Sequence, residues 1–180
     1  MRIHRHNAVA VVVDVQERLF PHIHQYEQLE KNLNILIQGL RILKVPLIVT
    51  QQYTRGLGPT IPSVAESLGE FEPLEKLAFS CCGDNGFLDA LRKSERNQVI
   101  LMGIETHVCV LQTALDLLTD NYQPIIVEDC VSSRKLNDKQ VAIERMRQAG
   151  MVITTYESLL FELCQVAGTE EFKAISRLVK

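Results

Sequence analysis

Residues Ala8–Val13 read AVAVVV, an uninterrupted apolar run dominated by β-branched valine. Such a run has no polar face to offer water. As a strand it has to be covered on both sides, the condition of a strand inside a parallel sheet rather than a one-faced antiparallel meander. The run stops at Asp14, a carboxylate that is costly to bury unless something pairs with it. One short segment thus sets an architecture and raises a question about its edge.

The rest of the chain supplies the layers. Glu27–Lys44 carries Leu29, Leu33, Leu36, Ile37 and Leu40 at helical spacing. Pro46–Thr50 reads as a second strand. Gln51–Glu75 holds Gly56, Gly58, Pro59, Pro62, Gly69 and Pro73 and reads as a long irregular segment, of the kind that is usually functional or disordered. Leu77–Phe79 reads as a further short strand, Asp84–Glu95 as a helix, and Asn97–Met102 as a strand broken by Gly103. His107–Thr119 is helical and Gln123–Val127 a strand. Asn137 or Asp138 caps a helix over Lys139–Ala149, which Gly150 ends. Met151–Thr154 is the last strand. Helices over about Tyr156–Ala167 and Glu170–Leu178 close the chain, the second begun at Thr169 with acidic residues at its positive end. This alternation predicts one three-layer αβα domain over residues 1–180. It is Rossmann-like, with a six-stranded, mainly parallel sheet and helices on both faces.

Of the 180 residues 46% are apolar, enough for one core. The net charge of −3, with Lys and Arg scattered, gives no footprint for a nucleic acid or a membrane surface. No apolar run approaches the ~18 residues of a membrane span. The N-terminal stretch MRIHRHNAVAVVVDVQ has basic residues before a short apolar run. The run ends at Asp14 without a small-residue cleavage site, so it reads as a strand and not a signal peptide. Cys81, Cys82, Cys109, Cys130 and Cys164 are odd in number and lack a CxxC pair. They read as free thiols of a cytoplasmic protein, most of them small core residues.

In an open parallel sheet, sites form at the carboxyl ends of the strands. That rule draws attention to Asp14 and Gln16, to Gln51–Tyr53, to the Lys76 region, and to Gly103–Cys109. Taken singly, Asp14 reads equally as a cap, Lys76 as a snorkelling surface residue and Cys109 as a buried structural thiol. Taken together they form a Cys–Asp–Lys constellation. Cys109 lies near the start of a helix, where free N–H groups and the dipole favour a thiolate and a developing oxyanion. Asp14 would move the proton, and the ammonium of Lys76 would lower the thiol pKa and keep the carboxylate ionised. Gln16, Phe20, Tyr53 and Phe79 are candidates for the pocket wall, with Ser80 close by. His107 lies two residues before Cys109, and residues two apart on a helix face different sides, so a Cys–His pair is disfavoured. His4, His6, His22 and His24 read as exposed polar residues. Cys81 and Cys82 read as packing residues that would become oxidation partners of Cys109 only if close to it.

DVQ at Asp14–Gln16, Lys76 ahead of Phe79–Ser80, and GIETHVCV at Gly103–Val110 resemble the isochorismatase-like cysteine hydrolases. The resemblance runs in order along nearly the whole chain and is carried by the motifs as a set. It implies an αβα fold, a covalent intermediate on cysteine, a homo-oligomer and a small-molecule substrate. Its triad falls on Asp14, Lys76 and Cys109. A non-proline cis peptide of the family falls on Ile104–Glu105, aiming the N–H groups of Glu105 and Cys109 at one oxyanion. Metal-dependent nicotinamidases of the family carry an Asp–x–His pair where this chain has Gln51, Gln52 and Tyr53. Neutral amides are poor zinc ligands, so no metal and no cofactor are expected. The expected activity is cysteine-dependent hydrolysis of a small amide, imide or related C–N substrate. Two other classes stand beside it: an oligomeric binding or scaffold protein that keeps the fold with little turnover, and a thiol redox protein.

Overall fold

The chain, seen here as a computed structural model that describes residues 1–180, contains six strands: β1 (Ala8–Val13), β2 (Leu47–Gln52), β3 (Leu74–Lys76), β4 (Gln98–Ile104), β5 (Gln123–Ser132) and β6 (Val152–Thr154). They form one sheet in the order β3-β2-β1-β4-β5-β6, and every pairing is parallel. All six residues of β1 are fully buried, as its sequence requires. Alternate residues serve opposite layers. Ala8, Ala10 and Val12 pack under α1 (Tyr26–Ile42), α3 (Pro62–Leu68), α7 (Tyr156–Cys164) and α8 (Glu170–Leu178). Val9, Val11 and Val13 pack under α4 (Asn85–Lys93), α5 (Leu111–Thr119) and α6 (Leu136–Gln148). The expected three-layer αβα architecture is the one observed.

The local differences have physical causes. Gln51–Glu75 is not irregular throughout. It contains a single turn, α2 (Thr54–Leu57), and α3, which starts at Pro62, where the missing N–H of proline costs nothing. The third strand is Leu74–Lys76 rather than Leu77–Phe79. Leu77 and Phe79 are 74% and 55% exposed, because the backbone there turns its carbonyls inward. Gly103 does not break β4. It pairs with Val13 at φ +116°, and a Cβ there would lie 2.2 Å from the Val13 carbonyl oxygen, so only glycine lets the strand run on to Ile104. β5 continues past Val127 to Ser132, since Cys130, Val131 and Ser132 turn back into the core. α6 begins at Leu136 without a side-chain cap, so neither Asn137 nor Asp138 caps it. Thr169 does cap α8, its hydroxyl accepting from the N–H of Phe172. No helix is long and apolar enough to cross a membrane.

Candidate active site

The strand order reverses at one place. From β1 the chain builds outward through β2 and β3; from β4 it builds the other way through β5 and β6. A crevice opens at such a switch point, beyond the carboxyl ends of β1 and β4. Asp14 follows β1 directly, with φ +51°, a left-handed conformation that aspartate tolerates better than most residues. Beyond β4 the Ile104–Glu105 peptide is cis. One π-helical turn then follows, Thr106–Val110, before α5 begins. Cys109 sits in that turn, 7% exposed. The expected α-helical start at His107 is therefore a wider turn.

Lys76 comes from β3, two strand spacings from β1, or roughly 10 Å. Only a long side chain crosses that gap, and β2 lies between. Its Nζ donates to Asp14 Oδ2 at 2.7 Å, Gln52 Oε1 at 2.8 Å, and the carbonyls of Phe79 and Ala78 at 3.0 and 3.2 Å. Three protons are thus shared among four acceptors. The other carboxylate oxygen, Asp14 Oδ1, accepts from Thr50 Oγ1 at 2.7 Å. Both charged side chains are 1% exposed. Burial alone would lower the Lys76 pKa, but the charge of Asp14 and the neighbouring thiols outweigh it and raise it. Lys76 is therefore an ammonium, not a neutral amine.

The thiol differs from the sequence expectation. Burial first, then the negative charge of Asp14, push the Cys109 pKa well above its ordinary 9.0; Lys76 pulls the other way and loses. Cys109 is a protonated thiol at neutral pH and not a preformed thiolate. The reason is that Lys76 spends its charge on Asp14, leaving little for the sulfur. Cys81 is fully buried nearby, and its pKa is pushed up to about 11, mainly by burial and then by Asp14. Cys82, half-buried, is pushed up to about 12, again chiefly by burial.

Of the expected wall residues, Tyr53 and Phe79 are half-exposed near Lys76: the Tyr53 N–H donates to the Lys76 carbonyl, and the Phe79 carbonyl accepts from Nζ. Gln16 and Phe20 are placed otherwise. Gln16 is fully buried, its Nε2 donating to the carbonyls of Gly58 and Gln52 while its Oε1 accepts from the Gln52 N–H. It braces β1 against the following loop, with both amide protons committed to backbone carbonyls. Phe20 packs in the core against the α1 face. Ser80 caps the short turn that carries Cys81, accepting from the Cys82 N–H. His107 turns away from Cys109: its Nδ1 is 2.9 Å from Ser133 Oγ and its Nε2 is 3.9 Å from Asp138 Oδ2. Glu105 Oε1 accepts from both the N–H and the Nε of Arg134. Thr50 and the site role of Gln52 went unread. Gln52 ends β2 and Thr50 lies two residues before it, on the strand beside β1, which is the signal that marks them. Gln51, in β2, has its side-chain amide bound to the hydroxyls of Thr60 and Thr54.

A parallel αβα sheet with an acid, a lysine and a cysteine gathered at its switch point has the fold of a small hydrolase. The chain belongs to the isochorismatase family: the isochorismatase domain matches residues 8–158. Among curated relatives, isochorismatase domain-containing protein 2 of Danio rerio is 38% identical, over 99% of this chain and 89% of that protein. The secreted isochorismatase effector Isc1 of Phytophthora sojae is 38% identical, over 99% of this chain and 87% of that protein. Among solved structures, MAR1 ribonuclease from Caenorhabditis elegans superposes with a TM-score of 0.92 at 39% identity, covering 99% of this chain and 92% of that one. The YcaC gene product of Escherichia coli, described as an octameric hydrolase of unknown specificity, superposes with a TM-score of 0.92 at 20% identity, covering 99% and 90%.

Proposed function

We propose that the chain is a cysteine-dependent hydrolase of a small amide, imide or related C–N substrate, working without metal or cofactor. The observation that carries this reading is the buried Lys76–Asp14 pair, 2.7 Å long, whose charge acts directly on the Cys109 thiol. As Sγ attacks the carbonyl carbon, its proton passes to Asp14. The tetrahedral oxyanion is met by the N–H groups of Glu105 and Cys109. When the C–N bond breaks, Asp14 returns that proton to the leaving nitrogen. Water then hydrolyses the thioester, with Asp14 again taking a proton, and releases the acid and the free thiol. Lys76 holds Asp14 in place as its buried counter-ion and does not itself transfer a proton. A resting neutral thiol suits this scheme, because the base is needed only at the moment of attack. The protein is cytoplasmic on this reading. It works as a homo-oligomer, in keeping with the octameric YcaC neighbour.

A second reading comes from the neighbour described as a ribonuclease at 39% identity. The net charge of −3 and the commitment of Lys76 to Asp14 favour a small substrate over a polyanion. One experiment separates the readings: a panel of small amides and imides, with single-stranded RNA alongside, is tested against wild type, Cys109→Ser and Asp14→Asn. Release of ammonia or amine, with an acyl adduct on Cys109 by mass spectrometry and loss in both variants, supports the hydrolase. RNA cleavage that survives Cys109→Ser would overturn it. An inert wild type that binds the panel compounds would favour the scaffold.

A further inference from the structure

Thr50, on β2, is 1% exposed and does not touch the reacting sulfur in the scheme above. Its hydroxyl lies 2.7 Å from Asp14 Oδ1, the oxygen that Lys76 leaves free. An ionised carboxylate only accepts, so Thr50 is the donor. A hydroxyl has one proton, so its oxygen has only lone pairs left for any other neighbour. That neighbour is Cys81, whose Sγ lies 3.9 Å away and donates. The direction of the chain is therefore fixed: the Cys81 S–H points to Thr50, and the Thr50 O–H points to Asp14. Cys81 is itself pinned, its N–H donating to Thr113 Oγ1 on α5 at 2.9 Å. The raised Cys81 pKa keeps the thiol protonated, hence a donor, through neutral pH.

We propose that Thr50, oriented by Cys81, is a positioning residue that sets the basicity of Asp14. The proposal rests on the role of Asp14 as the base for Cys109. The groups facing Asp14 are Lys76 from β3, Thr50 from β2, Cys81 from the turn before α4, and Cys109 from the π turn. Lys76 and Thr50 both stabilise the charged carboxylate; the two thiols are neutral at neutral pH. With one donor on each oxygen, Asp14 is held in a single orientation, and a proton arriving from Cys109 lands on a lone pair that neither donor uses. Hydrogen bonds to the charged form lower an acid's pKa. Removing the Thr50 donor makes Asp14 hold a proton more tightly, so the base is lost at a higher pH.

The test follows the rate of Cys109 carbamidomethylation by iodoacetamide against pH, from about 4 to 10, a range that starts in the ordinary span of carboxylates. Site-resolved mass spectrometry reads the rate in wild type, Thr50→Val, Thr50→Ala, Thr50→Ser, Cys81→Ala and Asp14→Asn, each first checked for a cooperative thermal transition. In Thr50→Val the acidic limb moves up by about one pH unit. Thr50→Ser, which keeps the donor, restores the wild-type limb, and Thr50→Ala, which lacks it, moves the limb as valine does, an arm that stands even if the valine variant folds poorly. Cys81→Ala moves the limb the same way by less. If Thr50→Val overlays wild type while Asp14→Asn abolishes the acidic limb, the Thr50 proposal fails and the base role stands. If wild type has no limb that depends on Asp14, the base role fails and takes this proposal with it.

Discussion

Asp14–Lys76 and Glu105–Arg134 are two acid–base pairs at the same edge of one sheet, with contacts of 2.7 and 2.9 Å. On distance they are equals. They differ in surroundings: both members of the first are 1% exposed, whereas the Arg134 side chain of the second is 58% exposed. In the first pair neither charge can turn to water, so each depends on the other and on the hydroxyl, amide and carbonyls around them. In the second, water screens the exposed guanidinium, and Glu105, itself 9% exposed, keeps the backbone N–H of Arg134 as a donor when the guanidinium leaves. Contact length therefore says little about what an ion pair does, and burial says most of it.

The largest effect expected from breaking this contrast is at Lys76. Lys76→Met leaves a buried carboxylate without its counter-ion and should cost about 3–5 kcal/mol in urea unfolding. A loss below about 1 kcal/mol would mean the pair is no better sheltered than a surface one. Next comes Asp14→Asn, which removes a negative charge from beside Cys109. That charge is the second-largest cause of the raised thiol pKa, so the alkaline limb of Cys109 alkylation should move to lower pH. Hydrolysis of any substrate found should still fall about 10²–10⁴-fold, the usual worth of a positioned base. A more acidic thiol with less turnover would distinguish a base from a group that merely suppresses the thiolate.

The pH dependence of stability sharpens the contrast from the alkaline side. Lys76 has a folded pKa above its ordinary 10.5, so its contribution is complete below that value and is lost as pH climbs through the folded one. Cys81 and Cys109 are raised from 9.0, so above about that pH the unfolded chain releases protons that the fold retains. Both effects have the same sign: stability should decline progressively above about pH 9 in urea titrations. A flat profile there would contradict the buried arrangement. The smallest effect is at the other pair. Arg134→Ala should cost no more than about 1 kcal/mol, and less in high salt, with Cys109 alkylation unchanged. A salt-independent loss would show Glu105 to be as dependent on its partner as Asp14.

Much of this was legible in the residues. The valine run of β1 and the alternation of periodicities foretold the layers, and the rule of strand ends drew out Asp14, Lys76 and Cys109 together. Thr50 and the site role of Gln52 are not legible in the sequence, because polar residues toward the end of a strand look the same whether they meet water or a buried charge. The observed β3 is LEK, although apolar Leu77 and Phe79 resemble a strand more than LEK does. Those side chains face outward because their backbone carbonyls are needed by Lys76 and Gln52. The amide of Gln16 suits a pocket wall, and only the fold shows it bound to the backbone of Gly58 and Gln52.

By itself, then, the sequence determined the parallel three-layer architecture and the apolar faces that its strands and helices bury. Those properties follow from local periodicity and from the cost of leaving apolar surface in water, and each residue carries its share of them. The protonation of Cys109 and the partners of Lys76 were decided by the tertiary structure alone. Electrostatic energies depend on distance through space and on exclusion of water, and Lys76 meets Asp14 from 62 residues away in the chain.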